Sequence, residues 1–156
     1  MIFPSGYQAN LALLSSILDD ESVVFSDALN HASLIDGIKL SKSQKRIYRH
    51  GDLKHLEELL QQESDNDRFK LIVCESIFSM EGDHASLKEL VVLAEKYRAY
   101  LVVDEAHATG LFGKNGSGLV EDLNLSDRVL ATMHTAGKAL GCAGAWIACS
   151  QKLKQY

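Results

Sequence analysis

Apolar positions along this chain keep switching between two spacings. From Gly6 to Leu18 they recur at helical intervals (Leu11, Leu14, Ile17, Leu18), and Ser22-Val23-Val24-Phe25-Ser26 then reads as a short strand. The alternation continues: Ser33 to Leu40 is helical, Arg46-Ile47-Tyr48 extended, and Leu53 to Gln62 helical with Leu56, Leu59 and Leu60 on one face. Asp52 stands where that helix needs an N-cap. Phe69 to Cys74 is apolar enough for a buried strand, and Ser86-Leu87-Lys88-Glu89 has the form of a capping box opening a helix to about Tyr97. Tyr100 to Val103 predicts a strand, Gly118 to Leu123 a short helix, and Val129 to Met133 another strand.

Strand and helix in turn predict an α/β fold in three layers, a mainly parallel sheet covered by helices on both faces through right-handed crossovers. The last two strands break the pattern. Only a glycine-rich turn joins Val129–Met133 to Ala145–Cys149, too short for a crossover helix, so one strand near the C-terminus is expected to run antiparallel. No repeat, low-complexity segment or internal linker divides the chain, and residues 1–156 are expected to form one domain. Met1-Ile2-Phe3 reads as a strand stub, and the sequence stops as Ser150 to Tyr156 begins a helix. Part of a longer protein is therefore the expectation.

Composition narrows the classes. Apolar residues at 46% and charged residues at 24% match a soluble globular domain of this size. A net charge of -5, with Lys39, Lys42, Lys45 and Arg46 interrupted by other residue types, argues for a solvated face and against a nucleic-acid partner. No apolar stretch is long enough for a bilayer and no signal peptide opens the chain, so a cytoplasmic protein without a membrane partner is expected. Cys74, Cys142 and Cys149, odd in number and in or beside apolar runs, read as reduced and buried. The six histidines lack zinc spacing, so no metal is expected.

Ligands of open parallel sheets bind beyond the carboxyl ends of the strands, so the residues after each apolar run are the candidates. Ser5-Gly6-Tyr7 opens the first helix with free N–H groups suited to a phosphate, although taken alone a plain N-cap serine followed by a turn glycine is the better explanation. His31 opens the second helix and could lie on a flat cofactor or simply cap. Ser79 could bind a cofactor and Glu75 orient a neighbour, or both could belong to a polar loop with Gly82 at positive φ. Asp104 is less easily dismissed. A carboxylate directly after a strand core needs a cationic partner, and His107 follows three residues later. Thr135 and Lys138 flank Ala136-Gly137 after a later strand. An acid and an amine so placed suit pyridoxal phosphate, with Lys138 as the Schiff-base amine and Asp104 keeping the ring nitrogen protonated.

Two nucleotide motifs fail. Gly110, Gly113, Gly116 and Gly118 lack Gly-x-Gly-x-x-Gly spacing and follow Asp104 rather than a first strand. Ala108 and Thr132 occupy the positions where a phosphate loop ending in Gly113-Lys114 or Gly137-Lys138 needs glycine, and neither lysine precedes Ser or Thr.

Read together, Ser5-Gly6-Tyr7-Gln8-Ala9-Asn10, Asp27-Ala28-Leu29-Asn30-His31-Ala32-Ser33, Phe78-Ser79-Met80-Glu81-Gly82-Asp83, Asp104-Glu105-Ala106-His107-Ala108-Thr109-Gly110 and Thr135-Ala136-Gly137-Lys138 resemble the α-oxoamine synthases. These are fold-type I pyridoxal phosphate enzymes that join an amino acid to an acyl thioester. Tyr48-Arg49-His50 and Glu75-Ser76-Ile77-Phe78-Ser79-Met80 are most similar to the branch that condenses L-alanine with a pimeloyl thioester in biotin biosynthesis. The resemblance implies a truncated large domain of the pyridoxal phosphate transferase type. It implies that Ser5, Gly6, Tyr7, His31, Ser79, Asp104, His107, Thr135 and Lys138 bind the cofactor. Lys138, His31 and His107 would be catalytic: Lys138 abstracts the α-proton, and either histidine polarises the acyl oxygen. Partners would be small-molecule substrates and, at full length, a second subunit in a homodimer. Members of the family carry an N-terminal segment and a C-terminal domain, the latter with the arginine that grips the substrate carboxylate, and no residue here matches it. The chain alone is accordingly expected to be inactive. The alternatives are a sister synthase using glycine or serine, or a non-catalytic piece that keeps the fold.

Overall fold

A computed structural model of the chain describes residues 1–155. Its elements in order are β1 (Ile2–Phe3), α1 (Gly6–Ile17), β2 (Val23–Asp27), α2 (Ala32–Ser41), β3 (Gln44–Tyr48), α3 (Leu53–Gln62), β4 (Lys70–Glu75), α4 (Leu87–Lys96), β5 (Tyr100–Asp104), α5 (Leu119–Asp122), β6 (Ala131–Thr135), β7 (Ala145–Cys149) and α6 (Gln151–Gln155). The seven strands form one sheet in the order β1-β7-β6-β5-β4-β2-β3. Strand β7 runs antiparallel to both its neighbours, and all the other pairings are parallel. The expected antiparallel strand is thus present. The helix anticipated from Ser150 is α6, and Tyr156 lies outside the described residues.

Successive side chains of a strand point to opposite faces, and here both faces are apolar. Val23, Phe25, Ile72, Cys74, Leu101 and Val103 pack with Leu56 and Leu60 of α3 and Leu87, Leu90 and Val91 of α4. Val24, Leu71, Val73, Val102, Ala131 and Met133 pack with Ala9, Leu13 and Leu14 of α1 and Leu34 and Ile38 of α2. Each fully buried leucine or valine contributes roughly 1.5–3 kcal/mol, so the two clusters together fix which helices lie on which face. No helix among the described residues is long and apolar enough to cross a membrane.

Three details depart from expectation. Ser86 is the N-cap residue of α4, but its side chain makes no capping hydrogen bond. Strand β6 starts at Ala131 rather than Val129, because a 3-10 turn over Ser126–Arg128 precedes it and Leu130 only begins the ladder, donating to the Leu101 carbonyl at 2.8 Å. Of the three free cysteines only Cys74 is buried. Cys142 is exposed because it belongs to the turn between β6 and β7 and not to either strand.

Candidate active site

Five parallel strands finish on one edge of the sheet, and the site is built where β4, β5 and β6 end. Glu75 and Asp104 are register partners, the last residues of β4 and β5. Asp104 is only 3% exposed. Its Oδ1 accepts from the Ala106 N–H at 2.9 Å and its Oδ2 from Asn10 Nδ2 at 2.8 Å, both neutral donors. Among the described residues no cation lies within ion-pair distance, so the partner expected for this carboxylate is not supplied by the chain. Burial pushes its pKa up, against those two hydrogen bonds and the positive charge of Lys138.

The glycine turn after β6 carries Lys138, exposed as a residue, with its amine leaning back over the strand ends. Lys138 Nζ lies 2.6 Å from His107 Nε2. An ammonium only donates, so the ring nitrogen of a neutral His107 accepts. Partial burial pulls the lysine pKa down, opposed by the charges of Asp104 and Glu75. His107 is shifted down as well, first by burial and then by Lys138 and His31. The amine is therefore closer to its nucleophilic form than a solvated lysine.

His31 is the N-cap of α2, held at two points. Its backbone N–H donates to Glu75 Oε1 at 2.7 Å, and its Nδ1 accepts from the Ser33 N–H at 3.2 Å. Glu75, 2% exposed, is pushed up to about 7 by burial and then by the Asp104 charge. Tyr7 stands edge-on to the His31 ring, 6.3 Å between centroids, while its hydroxyl donates to Asp36 Oδ2 of α2. Gly6 brings the start of α1 onto the end of β6: a Cβ there would stand 3.3 Å from Met133 Sδ and 3.5 Å from Thr135 Cβ. Ser5 caps α1, accepting from the Gln8 N–H at 3.2 Å. Thr135 Oγ1 donates to the Gly144 carbonyl and accepts from the Gly137 N–H, both at 3.3 Å, which pins the turn that presents Lys138.

Asp104, His107, Lys138 and His31 are thus brought together, with Ser5, Gly6, Tyr7 and Thr135 around the start of α1. Ser79 is exposed on a loop closed by the Gly82 N–H on the Phe78 carbonyl, outside the bonded cluster. Two residues given no role from the sequence belong to that cluster. Asn10 is fully buried and donates to both Asp104 and Ser33 Oγ, the latter at 2.9 Å. The signal was available: an asparagine inside the apolar stripe of α1, between Ala9 and Leu13, is an expensive place for an amide without partners. A cavity of about 560 Å³ lies elsewhere, lined by Glu105, Thr132, His134 and Trp146 beside α5. Chemistry rather than volume marks the site.

A family model for aminotransferase class I and II matches residues 1–156. The chain belongs to that family. Among curated members, this aminotransferase-class chain is 49% identical to the 8-amino-7-oxononanoate synthase of Exiguobacterium sibiricum, over all of the chain and 40% of the relative. A putative 8-amino-7-oxononanoate synthase of Halalkalibacterium halodurans is also 49% identical, with 39% of its length covered. Serine palmitoyltransferase from S. paucimobilis, solved with bound PLP–myriocin, superposes with a TM-score of 0.93 at 34% identity over 99% of this chain and 39% of that one. The 8-amino-7-oxononanoate synthase of Francisella tularensis gives 0.87 at 34% identity, covering all of this chain and 44% of that one. The chain spans about two fifths of the length of the relatives it matches.

Proposed function

We propose that residues 1–156 form the central part of a pyridoxal phosphate-binding large domain in an α-oxoamine synthase. The reaction is the decarboxylative condensation of L-alanine with a pimeloyl thioester, giving 8-amino-7-oxononanoate, carbon dioxide and the free thiol. One observation carries the reading: a fully buried carboxylate with only neutral donors, Asp104, next to an amine of lowered pKa, Lys138. Asp104 suits a pyridinium nitrogen, which would supply the missing cation and hold it there by charge. The lack of a side chain at Gly6 lets the start of α1 close on Met133 and Thr135, and the N–H groups that open this helix suit a phosphate, with Thr135 beside them.

When bound, the cofactor supplies an electron sink for the carbanion at the amino acid's α-carbon. The residues do the rest. Lys138 Nζ would hold the cofactor covalently, and the same amine is the base that would take the α-proton of the amino acid. His107 Nε2 orients that amine through the 2.6 Å hydrogen bond. His31, fixed by Glu75 and Ser33, covers the site from the α2 side and faces substrate. Turnover is assigned to a cytoplasmic homodimer of the relatives' length, whose remaining segments provide the grip on the substrate carboxylate. The serine-using sister reaction is supported by superposition at 34% identity, and the alanine-using one by curated relatives at 49%. The second is the closer guide.

The chain should be mixed with pyridoxal phosphate, reduced with borohydride and mapped by mass spectrometry. The adduct is expected on Lys138 and is expected to vanish in Lys138→Ala. Labelling spread evenly over the exposed lysines, or none at all, would overturn the proposal.

A further inference from the structure

We propose that Asn10 and Ser33 are positioning residues that set the protonation pattern of the His31 ring, so that His31 meets its ligand as a hydrogen-bond donor through Nε2. Asp104 oxygen accepts, so the Asn10 group at 2.8 Å is its NH2, and the same nitrogen's second hydrogen is aimed at Ser33 Oγ at 2.9 Å. The Ser33 hydroxyl, whose oxygen accepts from Asn10, lies 2.8 Å from His31 Nδ1 and donates to it, because that nitrogen also faces a backbone N–H and so is an acceptor. The Ser33 backbone N–H points at that same Nδ1 from 3.2 Å. Two donors on one ring nitrogen leave it no proton of its own. The ring hydrogen therefore resides on Nε2, and the order Asp104, Asn10, Ser33, His31 has a single direction.

This deepens the proposed function, on which its catalytic meaning rests. The buried acid at the base of the site and the imidazole at its mouth are one hydrogen-bonded unit, although 73 residues separate their positions in sequence. His31 so held offers an N–H to a substrate oxygen and does not act as a base through Nδ1. The amide geometry adds a second reason for an asparagine: its Oδ1 is buried without a partner among the described residues, a cost that an alanine would avoid and that the two N–H contacts offset.

The test uses the isotope-labelled chain without cofactor and reads the ring nitrogens of His31 by two-bond nitrogen–proton correlation NMR. The unsubstituted chain is expected to show the Nε2–H form alone, with Nδ1 shifted as a hydrogen-bonded acceptor. Ser33→Ala should move the Nδ1 signal towards that of an unbonded ring nitrogen, and Ser33→Thr should restore it. Asn10→Ala, which touches no atom of His31, should move it the same way, and the double variant no further than either single one. An Nδ1–H ring in the parent, or a Nδ1 signal unmoved by Ser33→Ala, would overturn the proposal. If Asn10→Ala fails to fold, the Ser33 pair still decides. Because no cofactor is present, failure here leaves the borohydride result standing, and failure of trapping leaves this readout intact.

Discussion

Glu105, the residue after Asp104, points away from the site, and its surroundings make two measurable claims. It is fully buried, with Oε2 accepting from the Val120 N–H at 3.3 Å and Oε1 without a partner among the described residues. Burial pushes its pKa up to about 7 from an ordinary value of 4.5. As pH rises through the interval between those values, the unfolded chain releases the proton while the folded chain still holds it, so stability falls. The full effect is about 3 kcal/mol, complete above the folded value. Glu75 acts in the same direction over the same window. His134 acts oppositely: burial between Thr109 and Thr132 lowers it to about 4, so its stabilising effect is present above 6.5 and is lost as pH falls towards 4. Urea midpoints across this window should therefore be compared between parent and Glu105→Gln, which is expected to flatten the decline. Equal slopes would show that Glu105 titrates as a solvated acid. Gly118, at φ 107°, leaves room for this carboxylate, since a Cβ there would lie 1.7 Å from Oε2. Gly118→Ala combines backbone strain with overpacking and should destabilise by about 2–4 kcal/mol in the same titration. A loss under about 1 kcal/mol would mean the loop simply moves aside.

At the scale of elements, helix caps separate what a sequence pattern shows from what packing allows. Asp52 and Ser86 both precede apolar helical runs. Asp52 accepts from the His55 N–H at 2.9 Å and also pairs with Arg49. Ser86 makes no such bond to the N–H groups two or three residues on. Asp52→Ala is expected to cost about 1 kcal/mol and Ser86→Ala less than about 0.5 kcal/mol by chemical denaturation. Equal costs would mean that Ser86 caps in solution. The helices and strands themselves were legible because two-sided burial writes itself as period: Leu71 and Val73 go to one cluster, Ile72 and Cys74 to the other. Strand ends were less legible. Asp27, Glu75, Asp104 and Thr135 all lie inside ladders, past the apolar runs, since the backbone pairs regardless of side-chain polarity. That overrun is also what carries Glu75 and Asp104 to the rim of the sheet as neighbours.

For the molecule as a whole, the residues that stand apart in sequence were easier to find than the bonds between them. Lys138, Asp104 and His107 are conspicuous as charged or titratable groups directly after strands, and topology alone brings them together at one edge. Asn10, lying on the apolar face of α1, and Ser33, one of several helix-opening polar residues, were not conspicuous, because their roles depend on how α1 and α2 pack and not on either segment alone. This division has an energetic consequence. The candidate site draws on α1, α2, β4, β5 and β6, so a ligand that engages Asp104, Lys138 and the start of α1 links elements spread across both core clusters and should stabilise the fold as a unit. Binding of pyridoxal phosphate at a concentration one hundred times its Kd should add about 2.7 kcal/mol. For a domain of this size that is a rise in Tm of roughly 5–10 °C. Asp104→Ala removes the charge proposed to hold the ring nitrogen, so its Tm should not respond to the same concentration, whatever its own starting stability. Lys138→Ala keeps the carboxylate and the α1 amides and should retain part of the rise. A parent Tm that does not move, in a chain whose His31 ring shows the bonded Nδ1 signal, would mean that the site is assembled but that residues 1–156 do not by themselves hold the cofactor.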